Sequence, residues 1–133
     1  MSVVNSRTAN ELTKEEWRQF QPDKLFNIQQ SSNREALRLR RRRALHLAHK
    51  AADILKKSYG AQKVVIFGSF TQKGAFSLWS DVDLAAWGID PVRFYEAVAV
   101  ITGLSAEFKV DLVDTNSCRP ALKNVILQSG FEL

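Results

Sequence analysis

The stretch Lys63-Val-Val-Ile-Phe-Gly-Ser69 decides the fold, because the hydrophobic pattern of the chain changes there from helical to extended. Its short apolar run, rich in β-branched residues, is typical of a strand buried on both faces. Gly68 then allows a sharp turn and a close approach of the backbone to a ligand. The hydroxyl of Ser69 and the backbone N–H groups after such a turn can bind a phosphate. Taken alone, a Gly-Ser pair after a strand is more often a simple turn.

A long helix is predicted before this strand. Between Ser32 and Tyr59 the chain contains neither glycine nor proline, and Ser32 with Glu35 matches a capping box at a helix start. Gly60 suits the position after the last helical residue. Apolar residues recur at helical spacing along one face, at Leu37, Ala44, Ala48, Ala51 and Leu55. These signals predict a helix over residues 32–59.

The basic charge of the chain is concentrated in that helix. Residues 34–57 contain nine of the 19 Lys and Arg and two of the 14 Asp and Glu, so this segment carries +7 and the rest of the chain −2. An arginine cluster such as Arg38–Arg43 can bind nucleic-acid phosphates or an acidic protein, or it can form a solvated face. No aromatic residue interleaves with these arginines, so the pattern does not favour nucleic acid over the other two alternatives.

After the first strand, the chain continues as a small α/β unit. Further strands are predicted over residues 82–87 and 108–113, and helices over about residues 91–102 and 120–128. Residues 70–80 are predicted to form a short turn of helix and a loop. The helix after the second strand has a clear start, with Asp90 as its cap and a proline at the first helical position.

The predicted domain organisation is simple. An N-terminal extension over residues 1–30, with a short helix near residues 13–20, precedes one domain over residues 31–133, whose catalytic unit spans residues 61–133. No apolar run is long enough to cross a membrane. The N-terminus lacks the apolar core of a signal peptide, and the single cysteine is compatible with a reducing compartment. We therefore expect a cytoplasmic protein.

Two carboxylates occur together in the segment Ser80-Asp-Val-Asp-Leu84. Residues i and i+2 of a strand point to the same face, so Asp81 and Asp83 are expected to project together. Neighbouring carboxylates repel each other and destabilise a strand. A divalent cation between them would remove that repulsion, and Mg²⁺ prefers such oxygen ligands. The alternative is a solvated acidic start of the strand.

A third acid, Asp111, lies in the next strand between Val110 and Leu112. A carboxylate in an apolar strand is costly to bury unless it is paired or binds a metal. If this strand lies beside that of Asp83, the three acids converge on one point. Asp114 is expected to point to the opposite face, and we interpret it as a strand-end or cap residue.

A Gly-Ser turn, a D-x-D pair and a third aspartate on a later strand together describe a two-metal site for phosphoryl transfer. With these motifs, residues 64–114 resemble the polymerase-β-type nucleotidyltransferase superfamily. Within it the chain is similar to the minimal nucleotidyltransferases (MNT), the antitoxins of HEPN/MNT toxin–antitoxin modules. The resemblance covers roughly residues 35–133. It is carried by Val64-Val-Ile-Phe-Gly-Ser69, Ser80-Asp-Val-Asp-Leu84 and Val110-Asp-Leu-Val-Asp114.

The resemblance implies an α/β (α+β) fold of the polymerase-β-like nucleotidyltransferase type, a small mixed sheet with flanking helices, preceded by the long basic helix. It implies that Gly68 and Ser69 bind the triphosphate of ATP. It also implies that Asp81 and Asp83 bind Mg²⁺, and that Asp111 completes a two-metal site and helps to activate the acceptor hydroxyl.

The chain departs from the family pattern next to the Gly-Ser turn. Relatives usually have an arginine directly after Gly-Ser and a second arginine before the following glycine, whereas this chain has Phe70 and Lys73. Lys73 is the residue we expect to supply the missing positive charge to the nucleotide. A lysine ammonium is a point charge without the bidentate geometry of a guanidinium.

The resemblance also implies a function. AMP would pass from ATP to a tyrosine hydroxyl of a partner RNase toxin of the HEPN class, in a hetero-oligomer or a dimer, which makes the chain a protein adenylyltransferase and an antitoxin. One alternative is a small-molecule, antibiotic-type nucleotidyltransferase, and another is a neutralising binding subunit without required catalysis. The three intact acids favour an enzyme, because a pure binder has no need to hold three repelling carboxylates.

Two tryptophans, Trp79 and Trp87, flank the D-x-D pair. We interpret them as packing against the sheet, with stacking on a nucleotide base as the alternative for one of them.

Overall fold

The computed structural model of the chain describes the backbone of residues 22–133 and the side chains of residues 32–133. The short helix predicted near residues 13–20 lies outside the described residues. The chain divides into two compact units, residues 1–35 and residues 36–133, and the second unit contains all the strands described below. Among the described residues, no helix is both long enough and apolar enough to cross a membrane.

The first helix, α1, spans Pro22–Tyr59. It begins at Pro22 rather than at Ser32, so the prediction of a capped start at Ser32 is wrong. Proline suits the first turn of a helix because its missing N–H has no partner there anyway, and no glycine or proline interrupts the chain until Gly60. Ser32 and Glu35 therefore lie inside the helix. Gly60, with a φ of 71°, ends it as predicted.

Four strands form one mixed sheet in the order β3-β2-β1-β4, with β1 at Lys63–Phe67, β2 at Val82–Trp87, β3 at Val110–Asp114 and β4 at Phe131–Glu132. β1 pairs antiparallel with both β2 and β4, whereas β2 and β3 are parallel. A parallel pair needs a crossover connection, and here it is made by helix α2, Pro91–Thr102. This architecture confirms the predicted fold class.

Two short helical elements follow β1 and β3. A 3₁₀ helix spans Gly68–Thr71 directly after β1, and helix α3 spans Pro120–Ser129 between β3 and β4. The Asp90 carboxylate caps α2 as predicted, since it accepts a hydrogen bond from the Val92 N–H at 3.0 Å. The third strand begins two residues later than predicted, at Val110 instead of Phe108.

The two faces of the sheet are covered by different helices. One face packs its alternate residues, such as Val64, Ile66 and Leu84, against the alanine-rich stripe of α1 and against α2. The other face packs Val65, Phe67 and Ala85 against Ile126 of α3 in a smaller cluster. Because successive side chains of a strand alternate between faces, Asp83 of β2 lies on the α3 side of the sheet, away from α1.

Candidate active site

The aspartates of β2 and β3 lie beside each other. β2 and β3 are parallel with Asp83 directly opposite Asp111. Neighbouring strands are about 4.8 Å apart, and partners in register point to the same face. Asp81 lies two residues before Asp83, where the Val82 N–H donates a hydrogen bond to the Lys109 carbonyl at 2.9 Å. The structure therefore brings together the three acids that the sequence singled out.

The electrostatics of Asp83 show how closely these acids interact. Its pKa is raised above the ordinary value, first by partial burial and then by the negative charges of Asp111 and Asp81. Lys109 acts in the opposite direction and lowers this pKa. Partial burial and two neighbouring carboxylates make the ionised form of Asp83 unfavourable, and a bound cation would stabilise it. The site is therefore arranged to attract a cation.

Gly68 lies directly against the Asp83 carboxylate. Phe67, the last residue of β1, is paired with Asp83, and Gly68 then turns with a φ of 74°. A Cβ atom at position 68 would collide with the Asp83 carboxylate. Glycine is thus required twice here, for its left-handed backbone conformation and for its lack of a side chain.

The rest of this turn is compact. Ser69 follows in the 3₁₀ helix and is partly buried. The Thr71 hydroxyl closes the turn by donating a hydrogen bond to the Gly68 carbonyl at 3.1 Å. Gly68 therefore lies beside Asp83, and Ser69 follows it in the 3₁₀ helix. The binding of a phosphate by these two residues stays a prediction.

The structure places Lys73 at a cavity beside α1. It is exposed and lines a cavity of about 450 Å³ together with Arg41 and Phe76. The positive charge that acts on Asp83 is that of Lys109. The nucleotide-binding role of Lys73 stays a prediction.

Lys109 is a residue of the site that the sequence analysis missed. Its ammonium lies 3.9 Å from the Asp111 carboxylate. The signal was available, because Lys109 precedes Asp111 by two positions and therefore shares its face of the chain.

Asp111 is less buried than expected. Its side chain is 47% exposed, because β3 is an edge strand of the sheet. Its carboxylate therefore does not pay the cost of burial without a partner, and its link to a metal rests on its position opposite Asp83. Asp114 acts as a strand-end cap as predicted, since its carboxylate accepts a hydrogen bond from the Asn116 N–H at 3.0 Å.

The two tryptophans behave differently. Trp87 is partly buried, packs against the smaller core cluster and has the Lys63 ammonium 4.8 Å from its ring centre. Trp79 is 89% exposed, so the interpretation that it packs against the sheet is wrong. Its loop is nevertheless ordered by hydrogen bonds, including one from the Trp79 N–H to the Ser77 hydroxyl at 3.2 Å. A large apolar ring thus projects into solvent two residues before Asp81.

The donor chemistry of this cluster fits a magnesium ion. Carboxylate oxygens are the hard ligands that Mg²⁺ prefers. A bound cation would also reverse the rise in the pKa of Asp83. In the side-chain conformations described for residues 32–133, no three His, Cys, Asp or Glu side chains form a ready-made metal cage. Mg²⁺ commonly takes only one or two carboxylates and completes its shell with water and substrate phosphates.

Comparison with known proteins identifies a family for most of the chain. Residues 49–133 match the family model described as polymerase beta, nucleotidyltransferase, which is more than half of the chain. A search of curated proteins found no match.

Several solved structures share the fold. A mutant of the toxin–antitoxin pair MntA–HepT is 25% identical with a TM-score of 0.52, over 64% of this chain and 69% of that one. A toxin–antitoxin with AMP-PNP is 23% identical with a TM-score of 0.51, over 62% and 69% of the two chains. A complex of tri-AMPylated Shewanella oneidensis HEPN toxin with MNT antitoxin is 20% identical with a TM-score of 0.51, over 67% and 70%.

Proposed function

Since this chain belongs to the polymerase beta nucleotidyltransferase family, we propose that it is a Mg²⁺-dependent enzyme that transfers AMP from ATP to a protein hydroxyl. The acceptor we propose is a tyrosine of a partner toxin of the HEPN class, which is silenced by the modification. The observation that carries the proposal is the register of β2 and β3, which sets Asp83 opposite Asp111 beside the Gly68 turn.

The proposed reaction is an in-line displacement. The acceptor oxygen forms a bond to the α-phosphorus of ATP, the bond from that phosphorus to the bridging oxygen breaks, and pyrophosphate leaves. Bound Mg²⁺ would neutralise the charge on the phosphates and orient the attacking and leaving oxygens. In this proposal Asp111 accepts the proton of the acceptor hydroxyl, and the Gly68-Ser69 turn would offer donors to the triphosphate. Asp81 and Asp83 would hold the ion.

The choice of ATP and of a protein acceptor is supported by the structures that share this fold. One of them contains AMP-PNP, an analogue of ATP, and another contains a tri-AMPylated HEPN toxin beside its MNT antitoxin. We extend the same nucleotide and the same class of partner to this chain.

Trp79 supports a macromolecular acceptor rather than a small molecule. Its ring is 89% exposed and stands two residues before Asp81 on a loop held by internal hydrogen bonds. Exposed tryptophans of this kind are enriched among the residues that dominate protein–protein binding. A small acceptor would not need an apolar anchor outside the acid cluster.

The test is intact-mass spectrometry of the protein encoded beside this gene, co-expressed with this chain and incubated with ATP and Mg²⁺. We expect a mass increase by whole AMP units, lost in Asp83→Asn and retained in the control Asp53→Asn, which changes an exposed aspartate of α1. An unmodified neighbour in a tight, silenced complex would favour neutralisation by binding. AMP transfer to small hydroxyl compounds without any partner would favour the small-molecule alternative.

A further inference from the structure

One arginine of the basic helix α1 is largely buried. The side chain of Arg40 is only 13% exposed. Its guanidinium donates a hydrogen bond to the Ser80 carbonyl at 3.0 Å, lies 3.6 Å from the Glu107 carboxylate and stacks 4.2 Å from the ring centre of Phe108. A planar guanidinium can satisfy several such partners at once, because its donors are fixed in a fork.

The partners of Arg40 belong to the two segments that lead into the acid cluster. Ser80 immediately precedes Asp81 at the start of β2, and Phe108 lies just before β3, which carries Asp111. The same two segments are joined by the hydrogen bond from the Val82 N–H to the Lys109 carbonyl at 2.9 Å. Arg40 therefore connects the approaches to both strands from the α1 side, while the aspartates project from the other side.

The next arginines of the helix strengthen this connection. Arg43 lies almost one turn further along α1, and its guanidinium contacts both oxygens of the Glu107 carboxylate, at 3.0 Å and 2.9 Å. Such an exposed pair is worth little by itself, but it fixes the carboxylate that Arg40 also contacts. Arg41 stacks 4.0 Å from the ring centre of Phe70, which follows the Gly-Ser turn. Helix α1 thus contacts all three segments that form the site.

We propose that Arg40 is a positioning residue, which sets the spacing between the Asp81–Asp83 pair and Asp111 by holding Ser80 and Phe108 in place. The inference deepens the proposed function and rests on it where it concerns metal binding. In this proposal Arg40 acts through its contacts with Ser80 and Phe108, the residues that precede the two strands. None of the three alternatives for the arginine cluster, which were nucleic acid, a partner and a solvated face, describes this residue.

The test compares Arg40→Met and Arg40→Lys with the control Arg42→Met, which changes an exposed arginine of the same helix. The first measurement is hydrogen exchange of the Val82 amide, which reports the junction of the two segments without any metal. We expect Arg40→Met to speed this exchange about tenfold, the effect of losing one hydrogen bond from a charged donor. Arg40→Lys should restore it in part, and Arg42→Met should leave it unchanged.

The second measurement is the affinity for Mn²⁺ with ATP, followed by electron paramagnetic resonance in place of Mg²⁺. The positioning role predicts about tenfold weaker binding in Arg40→Met. A merely structural role would lower the melting temperature but leave the affinity of the folded protein unchanged, and that outcome overturns the inference.

If the wild type binds no Mn²⁺ with ATP, the proposed function fails, and the exchange rate of Val82 alone decides the positioning role. If Arg40→Met does not fold, Arg40→Lys carries both measurements.

Discussion

The contact between Gly68 and Asp83 links the predicted phosphate turn to the predicted metal ligands through one missing side chain. The left-handed backbone of Gly68 has a counterpart at Gly60, whose φ is 71° and where an added Cβ would meet nothing within 4 Å. An alanine at position 60 would therefore introduce backbone strain alone. An alanine at position 68 would introduce the same strain and a collision with the Asp83 carboxylate.

Replacing Gly68 by alanine should cost more than replacing Gly60. Both substitutions place an L-residue in the left-handed region, which costs about 1–2 kcal/mol, but only Gly68→Ala pushes the Asp83 carboxylate from its place. We expect Gly68→Ala to abolish AMP transfer and Gly60→Ala to keep it, with melting temperatures and transfer rates measured side by side. Equal activity in the two variants would contradict the close contact.

Asp83 makes the stability of the metal-free protein depend on pH. Its pKa is raised in the folded state, so the unfolded chain loses this proton more readily. The stability contributed by the protonated form is present at low pH and is lost as pH rises from the ordinary aspartate value through the raised folded pKa. Asp83→Asn cannot ionise, so we expect it to melt at a higher temperature than the wild type at neutral pH without Mg²⁺.

The control is a comparison of the melting temperatures of the wild type and Asp83→Asn at low pH. At a pH below the ordinary pKa of aspartate both proteins are uncharged at position 83, and their melting temperatures should converge. A difference that is the same at every pH would show that the substitution acts through packing and not through charge.

Most patterns within single elements predict the structure correctly, whereas the consequences of contacts between elements are not predicted. The spacing of Asp81 and Asp83 is a local pattern. The structure places Asp81 one residue before β2, where its charge acts on the pKa of Asp83. The exposure of Asp111 depends on β3 being an edge strand, which no local pattern reveals. The start of α1 was misplaced because the Ser32–Glu35 pattern is compatible with a cap and with the interior of a helix.

The positively charged residues also show that local sequence patterns do not predict contacts between distant elements. Lys73 is predicted to bind the nucleotide because it stands where relatives have an arginine, and nothing in the structure tests that role. The sequence analysis does not predict the charge of Lys109, which lowers the pKa of Asp83. The buried role of Arg40 depends on Ser80 and Glu107, which are distant in the chain and come together only through the packing of α1 against the sheet.

The loop between the 3₁₀ helix and β2 should contribute to partner binding through Trp79. Because the ring is 89% exposed, Trp79→Ala should leave the melting temperature unchanged. It should weaken the complex with the partner by about 2 kcal/mol or more, which is typical of a central aromatic contact. The matched control is Tyr95→Ala on α2, where the side chain is 82% exposed. Calorimetric titration should show a loss for Trp79→Ala, and wild-type affinity in that variant would contradict the docking role.

The molecule as a whole should be stabilised by its ligands, because a complete site exists only in the folded chain. A ligand at a hundred times its dissociation constant adds about 2.7 kcal/mol to folding, which for a domain of this size corresponds to roughly 10 °C or more in melting temperature. We expect such a rise with Mg²⁺ and ATP together, measured by scanning calorimetry, and a much smaller one in Asp83→Asn. If Mg²⁺ and ATP raised the melting temperature equally in the wild type and in Asp83→Asn, the nucleotide would bind at a site that does not involve Asp83.

The parallel pairing of β2 with β3 also sets an order of events during folding. The antiparallel partners β1 and β2 are joined directly through residues 68–81, whereas β3 reaches β2 only after the longer crossover through α2. Arg43 meets Glu107 at a separation of 64 residues. Contacts between distant parts of a chain form late, because the loop must close before they contribute. The acid cluster is therefore among the last features to form. During refolding, capacity for Mn²⁺ should appear after helix content has recovered. We therefore expect a newly made chain to form α1 and the β1–β2 pair before its acid cluster.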